Sequence, residues 1–275
     1  MSQPSSPLWY SDNLAFWDER APIHESSEFY GVDRWLAGEE HLRPFELEEM
    51  GSVDGKTLFH PQCHFGQDTL GWARHGAQVT GLDFSPNAVS QAQRLATRAG
   101  IEARFLCGDV YEAPTLCDGQ QFDIVYTGLG ALPWLHDLTK WAETMAQMCA
   151  AGGHLYLAEF HPIASVFDSP TPELPLRAHN SYFDHEWHDT AEDMTGTYAD
   201  RDAATSNNDT HEHVWTLGEV VTSIITAGFE LQFLHEHDYT LYQWSTALER
   251  TDRGYEFPPE AARIPMMYSL RAQKR

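Results

Sequence analysis

The chain has 275 residues, 42% of them apolar, which is enough to bury a core in one large domain or two small ones. Its 17 basic residues against 41 acidic ones leave a net charge of −24, a field that repels phosphate backbones and anionic bilayers and so argues against nucleic acid or a membrane surface as partner. The four cysteines form no CxxC pair, no apolar run approaches the roughly 18 residues of a membrane span, and Met1–Asn13 lacks the basic and apolar regions of a leader, so a cytoplasmic protein without a disulfide scaffold is expected.

Residues 1–9, dominated by Pro and Ser, read as disordered. Residues 10–50 are rich in aromatics, and Asn13–Glu19 and Asp33–Gly51 can form helices. Because this arm precedes the first strand, it is expected to serve either as a lid over the site or as a cover for one sheet edge.

The stretch Thr57–Ser85 organises the rest. Thr57-Leu58-Phe59 is a short apolar run, Pro61–Gly66 a turn, Gln67–His75 a helix with Leu70, Trp72 and Ala73 on its apolar face, and Ala77–Leu82 a second strand ending on Asp83. Strand, turn, helix, strand and acid is the order of a nucleotide-binding unit, and Asp83 lies 17 residues after Gly66, near the roughly 20 that bring a carboxylate to a ribose.

Ser85 then suits an N-cap and Pro86 a first helical position, opening a helix over Ala88–Ala99 that Gly100 stops. Ile101–Leu106 is a third strand and Phe122–Thr127 a fourth; Pro133–Ala150 reads as a long helix, Gly152-Gly153 as its stop and His154–Phe160 as a fifth strand. Pro162–Glu212 breaks the rhythm and reads as an insertion, with extended segments at Tyr182-Phe183 and Trp187 and a hairpin tip or loop at Asp200–Asp209. Thr216–Ala227 resumes as helix, Phe229–Glu236 as strand, and Met266–Ala272 alternates like a last strand. This alternation predicts an open, mostly parallel α/β sheet with helices on both faces, binding its ligand at the carboxyl ends of the strands. That rim holds His60–Gly66, Asp83, Asp109, Thr127, Gly128, Glu159, Phe160 and His161.

With the elements placed, the chain resembles the class I S-adenosylmethionine-dependent methyltransferases. The resemblance covers Lys56–Phe160 well and the C-terminal third weakly. It is closest to a branch with the cofactor loop Q-C-H-F-G, here Gln62-Cys63-His64-Phe65-Gly66, followed by Asp68-Thr69-Leu70, Trp72-Ala73-Arg74 and Asp83-Phe84-Ser85. Gly108-Asp109-Val110, the strand Phe122–Tyr126 and the Gly152-Gly153 turn add to it. The family's acid before the loop is His60 here, and two of its glycines are Gln62 and His64.

The resemblance implies a doubly wound, seven-stranded Rossmann-like sheet, with residues 1–50 as arm or lid and 51–275 as the methyltransferase domain, carrying its insertion at about 162–213. It implies S-adenosylmethionine as cofactor, S-adenosylhomocysteine as product and a small organic molecule as methyl acceptor. Asp83 is expected to accept from the ribose, with Phe84 and Ser85 beside it. Asp109 and Val110 are expected at the adenine. His60, Gln62, His64, Gly66, Thr127, Gly128 and Tyr30 are expected around the methionine end. His161 and His136 are the candidate bases, histidine having the pKa for the task. The H-x-H and H-x-x-H clusters at 185–188, 211–213 and 235–237 offer no third ligand, so no metal is expected. Trp17, Tyr30, Trp134, Tyr182, Trp187, Trp215 and Tyr242 are expected to line an enclosed pocket. A non-catalytic cofactor-binding protein on the same fold, or less readily a nicotinamide-dependent oxidoreductase, are the alternatives.

Overall fold

A computed structural model describes residues 8–167, 174–184, 186–189 and 196–275. Three helices come first: α1 (Leu8–Ser26), α2 (Val32–Leu36) and α3 (Pro44–Met50). There follow β1 (Thr57–Pro61), α4 (Gln67–Arg74), β2 (Gln78–Asp83), α5 (Pro86–Ala99), β3 (Arg104–Cys107), α6 (Ala113–Leu116), β4 (Phe122–Thr127), α7 (Leu138–Met148), β5 (Cys149–Phe160) and α8 (Ile163–Val166). The last third holds β6 (Glu186–Asp189), β7 (Thr210–His213), α9 (Leu217–Thr226), β8 (Phe229–His237), β9 (Glu249–Arg250), β10 (Tyr255–Glu256) and β11 (Met267–Lys274).

Seven strands form one sheet in the order β3-β2-β1-β4-β5-β11-β8. The pairs from β3 through β5 are parallel, and β11 runs antiparallel to both its neighbours, β5 and β8. This is the doubly wound, mostly parallel architecture expected from the alternation of elements. The strand order reverses between β1 and β4, and that switch point is where such a sheet opens a crevice at its carboxyl edge.

Strand alternation sends neighbouring side chains to opposite layers. Leu58, Val79, Ile124, Tyr126 and Tyr156 pack with Leu42, Met50 and Trp72 on one face. Phe59, Leu82, Val125, Leu155 and Leu157 pack with Leu138, Trp141, Met145, Val220 and Ile224 on the other. Each fully buried leucine among them contributes about 1.5–3 kcal/mol. α5 forms as expected: Ser85 Oγ accepts from Ala88 N, Pro86 opens the helix, Gly100 ends it at φ 65°, and Ala88, Ala92, Leu95 and Ala96 are buried.

Several expected boundaries differ. The 33–51 helix is two helices, because Gly38 takes φ 109° and Pro44 starts a new helix. The long helix begins at Leu138 rather than Pro133: Pro133 lies in a 3-10 turn over Leu132–Trp134, and Asp137 is the N-cap, its side chain accepting from Lys140 N. β5 starts at Cys149, so Gly152 and Gly153 lie within it, at a register shift against β4. Tyr182-Phe183 is a turn rather than a strand. Trp187 falls in β6, which pairs antiparallel with β7, so the 200–209 segment is the loop of a hairpin. Leu8 and Trp9 are helical, and the rest of the 1–9 segment lies outside the described residues. Among the described residues no helix is long and apolar enough to cross a membrane.

Candidate cofactor and acceptor cleft

The cleft at the switch point encloses about 1150 Å³, its open mouth included, and draws on α1, the β1–α4 loop and the ends of β2, β3 and β4.

The β1–α4 loop sets its floor. Gln62 and His64 take left-handed backbone angles, φ 55° and 51°, and Gly66 follows at φ 77°. Side chains other than glycine rarely adopt this conformation, so the loop keeps the path of a glycine turn while carrying two polar side chains. Gln62 Nε2 donates to Ala131 O at 2.8 Å, tying the loop to the segment after β4. Gly66 has a packing reason of its own: a Cβ there would sit 2.7 Å from the Phe105 ring and 2.9 Å from Ala92 Cβ. It therefore seats the loop on β3 and α5 and does not act solely by admitting a ligand.

Asp83, at the end of β2, braces the loop. Its Oδ2 accepts from His64 N at 2.7 Å and its Oδ1 from Ser85 N at 3.0 Å. Burial pushes its pKa up to about 6, against the lowering effect of these backbone donors. Phe84 faces the cleft. Ser85 is buried behind it; its hydroxyl donates to Asp18 Oδ1 at 2.7 Å, docking α1 onto the start of α5. At the end of β3, Asp109 Oδ1 accepts from Tyr111 N at 2.9 Å, and Asp109 and Val110 both line the cleft.

His60 is buried beneath the loop, with Nδ1 2.8 Å from Thr69 Oγ1. Burial lowers its pKa to about 4, so the ring is neutral at pH 7. Asp68 reaches the cleft from the first turn of α4. Its carboxylate accepts from Arg43 Nη1 at 3.0 Å and Nη2 at 3.1 Å, and lies 3.1 Å from His41 Nε2. Arg43 also binds Glu46, which is fully buried, and donates to Tyr126 Oη at 2.8 Å. Glu159, at the end of β5, is a brace of the same kind: it accepts from Gly130 N at 2.7 Å, Leu132 N at 2.8 Å and Phe160 N at 2.7 Å, fixing the loop after β4.

The roof is aromatic and comes from distant parts of the chain. Trp9, Tyr10 and Trp17 of α1, Tyr30, Trp134 and Tyr198 of the insertion line it. Tyr30 Oη meets Tyr198 Oη at 2.5 Å, and His24 Nδ1 lies 3.0 Å from His64 Nε2. Tyr198 and His24 went unrecognised in the sequence, because no local pattern pairs residue 198 with residue 30. His136 also lines the cleft, its ring 4.0 Å from the Trp9 ring and 4.7 Å from the Tyr111 ring between centroids.

Other expected residues are elsewhere. His161 does not line the cleft: its Nδ1 accepts from Ile163 N at 3.1 Å and its Nε2 faces Glu236 at 3.1 Å, beside β8. The chain turns away after Glu159, which takes the inward position. Thr127 is fully buried behind the cleft, while Gly128 is at its wall. Tyr182 accepts from Leu217 N, Trp215 donates to Leu135 O and Tyr242 packs on Phe160, so these three are packing residues outside the cleft. His185 and the Trp187 side chain lie outside the described residues. Among the described residues no three metal-ligating side chains converge; His235 pairs with Glu49 and His211 with Asp12.

The sheet order and a cleft at the switch point define the fold of the class I methyltransferases. Residues 62–153 match the family model described as a methyltransferase domain, so this part of the chain is similar to the class I S-adenosylmethionine-dependent methyltransferases whose fold it shares. Among curated proteins it is similar to the ubiquinone biosynthesis O-methyltransferase of Serratia proteamaculans, 26% identical over 49% of this chain and 60% of that one. The enzyme of the same name from Coxiella burnetii is 29% identical over 41% of this chain and 47% of its own length, so the chain spans about half the length of such relatives. Among solved structures, an S-adenosylmethionine-dependent methyltransferase from Mesorhizobium loti shares the fold with a TM-score of 0.61 and 23% identity, over 87% of this chain and all of that one. Magnesium protoporphyrin IX methyltransferase from Synechocystis, solved with S-adenosylmethionine bound, shares it with a TM-score of 0.54 and 13% identity, over 99% of this chain and all of that one.

Proposed function

We propose that the protein transfers the methyl group of S-adenosylmethionine to an oxygen or nitrogen of a small organic acceptor held under the aromatic roof. The observation that carries this reading is the left-handed backbone of Gln62, His64 and Gly66, anchored by Asp83 through His64 N. The cleft also contains buried polar atoms that no protein group satisfies, Gln62 Oε1, Gln67 Oε1 and His136 Nδ1, which a polar ligand would engage.

In this reading Asp83 accepts from the ribose hydroxyls with the lone pairs its backbone donors leave free. Asp109 and the Val110 backbone hold the adenine, and the 60–66 loop with Gly128 and Tyr30 holds the methionine end. When bound, the sulfonium supplies an electrophilic methyl: the S–CH3 bond breaks as a CH3–O or CH3–N bond forms, and the electron pair stays on sulfur. The protein's part is alignment and exclusion of water, supplied by α1 as a lid and by the insertion through Tyr198. Burial lowers the pKa of His136, keeping it neutral and able to take the acceptor's proton. The names of the curated relatives favour an oxygen acceptor. A small acceptor also fits the strongly acidic surface, which disfavours nucleic acid.

The test is methyl transfer from label-bearing S-adenosylmethionine to a panel of phenols, alcohols and amines. His136→Gln is expected to lower kcat about 100-fold on a proton-bearing acceptor, with S-adenosylhomocysteine affinity unchanged. Unchanged kcat would send the proton elsewhere. Cofactor binding with no transfer to any acceptor would favour a non-catalytic cofactor-binding protein.

A further inference from the structure

The charges around the cleft restrict what can be methylated in it. All 17 lysines and arginines of the chain fall within the described residues, and none of them lines the cleft. Arg43, behind it, is bonded to Asp68 and Glu46. Arg20 of α1, 2% exposed, lies over the Phe16 ring and donates to Asn207 O at 2.7 Å and Asn208 Oδ1 at 2.8 Å. Four histidines among the described residues do line the cleft. His41 Nε2 already faces Asp68 at 3.1 Å. Burial lowers His60 to about 4, His64 to about 3 and His136 below its ordinary value, so these three rings are neutral at pH 7.

The acidic lining is Asp68, Asp83 and Asp109. Asp83 and Asp109 are met by backbone N–H groups rather than by a cation. The start of α4 could hold an anion through its backbone, but it carries Asp68 in its first turn. An acceptor bearing a carboxylate or phosphate would therefore be desolvated beside acids with no counter-charge, and burying an unpaired charge is costly. A neutral ring meets no such penalty. An ammonium is attracted by the acids and by ring faces alike.

The rings are in place in the roof. Trp17 stands edge-on to Trp134 at 5.0 Å and to His64 at 5.4 Å between centroids. Tyr198 is the one described residue after position 136 that lines the cleft. It is also 45% exposed, so its ring stands at the mouth.

We infer that the methyl acceptor is a ring-bearing molecule without a carboxylate or phosphate, preferred first as an amine cation and next as a neutral molecule, its ring against Trp17, Trp134 and Tyr198. This rests on the reading of the cleft as an S-adenosylmethionine site and narrows the acceptor by its charge.

The experiment is calorimetry on the protein saturated with S-adenosylhomocysteine, using three probes that share a phenol ring and differ in charge: tyramine, 4-ethylphenol and 4-hydroxyphenylacetate. Tyramine is expected to bind at least about tenfold more tightly than 4-hydroxyphenylacetate, with 4-ethylphenol between them. Tyr198→Arg, which sets a cation at the mouth, is expected to bring tyramine and 4-hydroxyphenylacetate to within about threefold of each other. In the wild type, 4-hydroxyphenylacetate binding as tightly as 4-ethylphenol, or no binding of any probe, would overturn the inference. An unchanged ranking in Tyr198→Arg would overturn the placement of the ring at Tyr198. Failure of S-adenosylhomocysteine itself to bind would remove the cofactor reading and this inference with it, whereas its binding followed by the wrong ranking removes the acceptor class alone.

Discussion

Replacing Arg43 by methionine is expected to destabilise the protein by about 3–5 kcal/mol, because it strands two carboxylates in the interior. Arg43 is 12% exposed, and its bonds to Asp68, Glu46 and Tyr126 join α3, α4 and β4. The pair holds the Asp68 carboxyl far below the ordinary range even though burial alone would raise it. Thermal denaturation should show Tm falling by roughly 10 °C. Arg43→Met combined with Glu46→Gln should recover part of the loss, since the second change removes one of the stranded charges. Equal Tm for wild type and Arg43→Met would mean the cluster is solvated and adds nothing.

Asp83→Ala is expected to weaken S-adenosylhomocysteine by about 1.5–3 kcal/mol, the scale of a lost hydrogen bond to a charged group. It removes the acceptor proposed for the ribose and also frees His64 N and Ser85 N, so the loop loses its brace. The pH dependence has a definite sign. Burial raises the carboxyl from 3.8 to about 6 in the folded protein, so between those values the folded state holds a proton that the unfolded state has released. That contribution to stability is therefore present at low pH and is lost as pH rises towards about 6. Ligand affinity runs the other way, rising as Asp83 ionises, and the rise should be absent in Asp83→Ala. A calorimetric series from pH 5 to about 7.5 reads both. Equal affinities for the two proteins across that range would show that the ribose is held elsewhere.

These effects arise from features of unequal visibility in the sequence. The β1–α4–β2–α5 unit was legible because its signals are local: alternating apolar runs, Ser85 and Pro86 at a helix start, Gly100 at its end. The turn at 61–66 was legible as a turn, although only the structure shows that Gln62 and His64 adopt left-handed angles. Boundaries failed where one residue overruled a periodic pattern, as Gly38 and Pro44 did in the arm and Asp137 did before α7.

The site was less legible wherever it depends on contacts between distant residues. Tyr198 reaches Tyr30 across 168 positions, and Arg43 reaches Tyr126 across 83. Asp68 stood in the recognised Asp68-Thr69-Leu70 motif, and its place in the first turn after Gly66 was the available sign that it faces the loop. His161, two positions beyond Glu159, does not reach the cleft: Glu159 accepts from the 130–132 loop, and His161 faces β8.

The most direct measurement of the central claim is calorimetric titration of the unmodified protein with S-adenosylhomocysteine and, separately, with NAD. The cleft described here predicts saturable one-site binding of S-adenosylhomocysteine and none of NAD, whose pyrophosphate would meet the side chains of Gln62 and His64 where a dinucleotide turn has glycines. Binding of NAD, or no binding of S-adenosylhomocysteine, would contradict it.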